Sequence, residues 1–436
     1  MLISDYAAAI GLATLVVMLL AGTPVGIAMI TAGLVGLLLG FGADITLDYL
    51  STTFYREAAS YALAAIPLFV LMGTLGSSSQ IWARLFEFVY RVVGRFRGGL
   101  GMAIVAAGGM FGAVSGSSTA GAAALGKIVV REAERYGYER KFTLACTAAS
   151  AAFAVMIPPS ISFIVYALLT QTSVARLFLA GMVPGILSAL AFMVLAYLLA
   201  LRNPDDMPRG KRFSAREQLK AGVETLPVFG VVLLVLGGIY TGIFTPTEAG
   251  AVGAVGIGII AAIYSRQQLS GVLDAAREAA ETTAMIFFII VGAFIFSRFL
   301  SINRIPQDIA SWVGELPLNR YAVLALILVI YLVMGTFMDQ LAIQVLTIPI
   351  IFPVIVAMGF DAYWFAVVFV KTVEIGLITP PLGLNIYVLS SVTKVPVVDA
   401  FRRITPFVVV DILLLAVLAA VPAISLWLPN LALGQG

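Results

Sequence analysis

The sequence predicts an all-α polytopic membrane protein built as an inverted repeat, with about five spans and one re-entrant helical hairpin in each half. Three observations carry this: the composition, the recurrence of long apolar runs, and an internal offset of 222 positions. Of the 436 residues, 61 % belong to the set AVILMFWYC and 11 % are charged, against about 45–50 % and about 25 % in soluble domains. Runs of about 20 apolar residues, enough for a helix to cross a bilayer, recur along the whole chain. The first run has only Asp5 as an early charge and lacks a basic n-region, so it reads as a retained membrane helix rather than a cleaved signal.

In chain order the apolar runs fall at 6–21, 25–42, 63–79, 98–130, 142–170, 177–201, 223–243, 247–265, 283–300, 321–357, 362–392 and 404–429. The runs 98–130 and 321–357 are too long for one span and are read as hairpins that enter and leave on one side. The polar pieces 80–97, 131–141, 202–220, 266–281 and 393–403 then fall on one side and hold 19 of the 26 Lys and Arg residues. The opposite side holds four, Arg56, Arg176, Arg304 and Arg320. Lysine and arginine resist translocation in short loops, so the basic side is assigned to the cytoplasm and the N-terminus, 44–60 and 301–320 to the outside. Arg84, Arg91, Arg95 and Arg97, alternating with Trp82, Leu85, Phe86 and Phe88, mark an interfacial arm helix. The stretch 301–320, with Ile305, Ile309, Trp312 and Val313, is its counterpart.

The offset of 222 relates Pro158-Pro159 to Pro380-Pro381, Thr23-Pro24 to Thr245-Pro246, and Pro184 to Pro406. An odd number of crossings per copy turns the second copy upside down, the plan of many secondary transporters. Each half pairs a polar hairpin tip, Ser115-Gly116-Ser117-Ser118-Thr119 or Gly335-Thr336-Phe337-Met338-Asp339, with a Pro-Pro break further on. Proline has no N–H and clashes with the preceding turn, so carbonyls are freed at depth, where only protein or a water-filled cavity can surround them. Carbonyls with Ser and Thr hydroxyls are hard ligands for a small cation. Half-helix N-termini offer N–H groups to an anion. The pattern therefore predicts a cation and an anion bound side by side. The alternatives at these positions are tight packing of small residues at 106–126 and simple kinks at the Pro-Pro pairs. Asp339 is either a ligand or a cap for the tip, and Glu374 either a ligand or an i, i+3 partner of Lys371. Lys127 is expected to snorkel.

The composition excludes other classes. There is no histidine and only one cysteine, Cys146, so the usual general base, a disulfide framework and a cysteine-rich metal site are absent. No catalytic residues are predicted, and the chain is not expected to be an enzyme. Its formal charge of +3 is scattered over helix ends, which argues against nucleic acid as a partner.

The segments FGAVSGSSTAGAAALGKI (111–128), IPPSISFIVY (157–166) and VEIGLITPPLGLNIYV (373–388) resemble the large membrane (DctM-type) subunit of tripartite ATP-independent periplasmic (TRAP) transporters, and the resemblance spans the chain. It implies sodium-driven uptake of an organic acid, a C4-dicarboxylate by default, by an elevator movement in the bacterial inner membrane. Its implied partners are a periplasmic (DctP-type) substrate-binding protein and a small (DctQ-type) membrane subunit, expected as a separate chain, with membrane lipid around them. Sodium ions are the coupling ions and no other cofactor is implied. On that reading one sodium site combines Ser115 and Ser118 with carbonyls near Ala154, Met156 and Pro158. The other combines Gly335, Thr336, Met338 and Asp339 with carbonyls near Gly376, Thr379 and Pro380. Ser117, Thr119, Ser160 and Asn385 are the expected substrate contacts. The domain reading is 1–97 scaffold and arm, 98–170 first hairpin and broken helix, 171–201 last helix of the first repeat, 202–222 cytoplasmic linker, 223–320 second scaffold and arm, 321–392 second hairpin and broken helix, and 393–436 C-terminal helix. The alternative function is a stand-alone sodium-coupled organic-anion carrier or ion exchanger of related inverted-repeat fold, which needs no binding protein.

Overall fold

A computed structural model describes residues 2–116, 118–204, 206–265 and 269–434; within it the side chains of Thr119 and Lys127 are among those left undescribed. The described residues are helical, with short connections. The first repeat comprises α1 (Leu2–Leu20), α2 (Val25–Ala58), a 3₁₀ turn (Tyr61–Ala64), α3 (Ala65–Ser77), α4 (Ile81–Val93), α5 (Gly99–Ser115), α6 (Ser118–Tyr136), α7 (Arg140–Ala154), α8 (Ile161–Thr170) and α9 (Val174–Arg202). The second comprises α10 (Ala215–Tyr240), α11 (Pro246–Ser265), α12 (Leu269–Ile302), α13 (Ile305–Glu315), α14 (Arg320–Phe337), α15 (Gln340–Ala357), α16 (Ala362–Leu377), α17 (Leu384–Thr393) and α18 (Val397–Ala420), followed by α19 (Ala423–Leu433). Among the described residues eight helices are long and apolar enough to cross a membrane.

Several boundaries differ from the sequence reading. Helix α2 continues past its apolar stretch to Ala58, with a kink at Gly42, whose φ of 81° few other residues adopt. The polar stretch 44–60 is therefore mostly helix, because alternating polar residues do not themselves end a helix. Helix α6 likewise runs through 131–136, and α12 begins at Leu269, inside the expected loop 266–281. The single C-terminal helix expected over 404–429 is instead two helices, α18 and α19, separated near Pro422. The hairpin helices α14 and α15 have 18 residues each, long and apolar enough to cross a membrane.

Helix starts follow local chemistry. Ser214 and Glu217 form a capping box at α10: Glu217 N–H donates to Ser214 Oγ at 3.3 Å and Ser214 N–H donates to the Glu217 carboxylate at 2.7 Å. Thr245 and Glu248 repeat it at α11. Asn319, Asp339 and Asp361 each accept a backbone N–H at the starts of α14, α15 and α16.

The inverted repeat is visible in the packing. Gly26 lies against Phe288 and Ile289, and Gly36 against Phe299, so α2 runs parallel to α12; Gly250 lies against Leu68 and Gly253 against Met72, so α11 runs parallel to α3. Adding 222 to the α2 positions and subtracting it from the α12 positions turns the first pair into the second. The hairpins are crossed as well, with α6 of the first packing on α17 and α15 of the second packing on α8.

The basic segments share one face. Arg403 bridges to Glu139 at 2.7 Å and approaches Asp206 at 3.6 Å, while Lys141 pairs with Asp399 at 2.9 Å. Gly210 N–H donates to Gly94 O at 3.0 Å, and Arg84 reaches Glu224 at 3.5 Å and stacks on Tyr264 at the end of α11. On the opposite face Thr247 donates to Tyr61 O at 3.0 Å, Tyr166 to Ala362 O at 3.0 Å and Arg176 to Gly434 O at 3.1 Å. In a Cys146→Ala background, cysteines placed at exposed Lys211 and exposed Gln307 are expected to label with an impermeant thiol reagent from opposite sides of the membrane. Labelling from one side would overturn both the topology and the inversion.

Candidate functional site

The first tip is set by Gly116, which ends α5 in the left-handed conformation (φ 62°) and donates its N–H to Gly112 O at 3.0 Å. A Cβ at Gly116 would lie 3.2 Å from Pro159 O, and one at Gly112 only 2.1 Å from Ala154 O. Absence of side chains thus lets α5 lie directly on the break between α7 and α8. Ser115, beside this contact, is buried with its hydroxyl unpartnered. The carbonyl oxygen of Met156 lies against Gly181 of α9, and the backbone of Ser115 against Gly73 of α3. Pro158-Pro159 is a cis peptide within the break, and Ser160 then caps α8, accepting Phe163 N–H at 3.4 Å.

The second tip repeats this with different residues. Gly335 and Gly376 face each other closely: a Cβ on Gly376 would lie 2.6 Å from Gly335 Cα. Thr336 O accepts Gly383 N–H at 3.2 Å, and Thr379 N–H donates to Gly376 O at 3.0 Å, so Gly335, Thr336, Gly376 and Thr379 are gathered at one place. Pro380-Pro381 is cis and Gly383 (φ 58°) starts α17. Met338 is extended, and Asp339 caps α15 by accepting Leu341 N–H at 2.9 Å. Asn385, in the first turn of α17, is fully buried with both amide atoms unpartnered.

Between the tips is a cavity of about 420 Å³ lined by Gly116, Ser118, Ile161 and Ser162 from the first repeat and Asp339, Gln340, Leu341 and Val388 from the second. Thr282, Met285 and Ile286 of α12 close one side. Of the expected substrate residues, Ser117 lies outside the described residues, as does the side chain of Thr119. Ser160 and Asn385 are both fully buried, next in the chain to Ile161 and one turn before Val388.

Two polar clusters escaped the sequence reading. Ser162 Oγ accepts from Gln340 Nε2 at 2.8 Å and donates to Gln344 Oε1 at 2.8 Å, while Gln344 Nε2 donates to Ser162 O at 2.8 Å. This ties α8 to α15 across the repeats. The available signal was two glutamines at i, i+4 in an otherwise apolar run. The second cluster removes one of the two readings of Glu374, that of an i, i+3 partner for Lys371. Lys371 instead makes a fully buried ion pair with Asp411 of α18 and donates to Ser188 of α9 at 2.9 Å. Glu374 is fully buried on the side of Ser118 and Asp339.

A helical membrane chain of two inverted copies, each seating a hairpin tip in a broken helix on a shared cavity, is an inverted-repeat transporter in architecture. The comparisons make this specific: the chain belongs to the family "Tripartite ATP-independent periplasmic transporter, DctM component", which matches residues 12–424. The C4-dicarboxylate TRAP transporter large permease protein DctM of Pseudomonas aeruginosa is 39 % identical over 87 % of this chain and 89 % of its own. The sialic acid TRAP transporter large permease protein SiaM of Vibrio cholerae is 33 % identical over 96 % and 97 %. The isethionate TRAP transporter permease protein DctMQ of Oleidesulfovibrio alaskensis is 32 % identical over 94 % of this chain but only 64 % of its own length. The crystal structure of the Alcanivorax borkumensis YdaH transporter shares the fold, with a TM-score of 0.64 at 15 % identity over 89 % of this chain and 90 % of that one. The chain is thus a transporter permease subunit and not an enzyme.

Proposed function

We propose that this subunit carries out sodium-coupled uptake of an organic acid anion that a periplasmic substrate-binding protein delivers, working beside a small membrane subunit on a separate chain. The observation that carries the reading is the pairing, at both tips, of close-packed glycine backbone with a Pro-Pro break in the facing helix. Ser115 adds a buried hydroxyl without a partner at the first tip. Such groups favour a small, hard cation. The two sites are assigned as in the sequence reading, with Ser115, Ser118, Ala154, Met156 and Pro158 at one and Gly335, Thr336, Met338, Asp339, Gly376, Thr379 and Pro380 at the other. The anion is assigned to the cavity between them, with Ser117, Thr119, Ser160, the Asn385 amide and half-helix N–H groups as donors and the cations supplying the positive field.

The relatives' cargoes are named as C4-dicarboxylate, sialic acid, isethionate and ectoine, and a C4-dicarboxylate is the first substrate to try here. In the elevator reading, 98–170 and 321–392 move against the frame that α2, α3, α11 and α12 make across the repeats. The N-terminus faces the periplasm of the inner membrane. The test is uptake into proteoliposomes containing the two membrane subunits, with the binding protein and a panel of acids outside. Uptake is expected only with an inward sodium gradient, and Ser115→Ala is expected to move the sodium activation curve to higher concentration. Uptake equal in choline would overturn sodium coupling; an unchanged curve would remove Ser115 from the site.

A further inference from the structure

On the basic face, outside the transport cavity, four arginines converge on a second hollow. Arg95 and Arg97 lie in the turn between α4 and α5, and Arg209 and Arg212 in the linker before α10; with Phe96 and Tyr197 they line a cavity of about 410 Å³. The placement is built rather than accidental. A Cβ on Gly98 (φ 68°) would lie 2.8 Å from Ala196 O of α9, and Gly210 N–H bonds Gly94 O at 3.0 Å. Turn, linker and helix end are thereby held together with the guanidiniums around the hollow. The ion pairs among the described residues engage Arg84, Arg91, Lys141 and Arg403 nearby, but none of these four. Asp206, the adjacent carboxylate, is turned toward Arg403. Four guanidinium forks around one space, without an ion-pair partner among the described residues, call for an anion with several acceptor oxygens.

We propose that this cavity binds the phosphate of an anionic phospholipid headgroup from the leaflet on the basic face. Phosphate as such would satisfy the arginines; the neighbouring surface favours the lipid. Phe96 and Tyr197 form an amphipathic rim, and the next groove along α9 is walled by Leu198 and Leu201, both exposed. A headgroup between the arginines would lay its acyl chains along that apolar helix face, in the manner of basic pockets between membrane helices. The lipid would bridge α9 to the arm and the linker.

The test is native mass spectrometry of the purified full chain in detergent, titrated separately with phosphatidylglycerol, phosphatidylcholine and inorganic phosphate. Phosphatidylglycerol is expected to be retained about tenfold better than phosphatidylcholine. The preference should vanish in R209Q/R212Q and survive in R277Q, which alters an exposed arginine paired with Glu281 on α12. Both linker arginines lie outside helices, and an unchanged Tm will show that the double variant is folded. Displacement of phosphatidylglycerol by millimolar phosphate would assign the site to a soluble anion and overturn the lipid. Equal retention of the two lipids, or a preference surviving in R209Q/R212Q, would overturn the site.

Discussion

Asp411→Leu is expected to abolish accumulation of folded protein, and Lys371→Met/Asp411→Leu to restore most of it. The side chains of Lys371 and Asp411 are fully buried and paired, with Ser188 as a third member. Removing one partner leaves an uncompensated charge among apolar neighbours, at a cost of about 3–5 kcal/mol, whereas replacing both by apolar groups of similar volume is often neutral or stabilising. Yield of monodisperse protein and its Tm measure this. A single variant as stable as the parent would mean that water reaches the pair. The triad joins α16, α9 and α18, so these helices are expected to behave as one body in any motion of α16.

Gly112→Ala is expected to be the most damaging of the glycine substitutions. The new methyl would sit 2.1 Å from the Ala154 carbonyl oxygen, a backbone atom that cannot swing aside. Overpacking of this kind costs about 1–3 kcal/mol and sometimes more, and relief requires α5 to lift from the break. Transport should then fall by tenfold or more, a factor that about 1.4 kcal/mol provides. Gly237→Ala is the control: it lies in the interior of α10 with open space around it, so no loss is expected there. If Gly112→Ala transports normally, the close seating of the tip is not required for the cycle.

The parts of this architecture that a sequence reveals are those fixed by local chemistry. Two prolines in succession cannot continue a helix, so both breaks were legible, and the shared 222 offset exposed the duplication. Positive charge limits which loops cross, so the basic segments could be grouped, and the structure ties them together through Arg403, Lys141 and Gly210. Side-chain direction on a buried helix is different, because it depends on which neighbour arrives. Lys371 had Glu374 one turn away, yet it turns to Asp411, 40 positions on. Ser162 meets Gln344 at a separation of 182 positions, with no local mark of the encounter. The extra length of α2 and α12 was hidden for a simpler reason: helical backbone can continue after hydrophobicity ends.

The crossing of the hairpins has a consequence for biogenesis. Helix α6 completes its packing on α17 and α8 on α15, elements roughly one repeat length of 222 residues later in synthesis. At about 5–20 residues per second, the first half must wait about 10–40 s in the bilayer before the surfaces it is shaped to meet exist. During that interval α6 and the hydroxyl of Ser162 lack their final neighbours. Truncation after α9 would leave that state permanent.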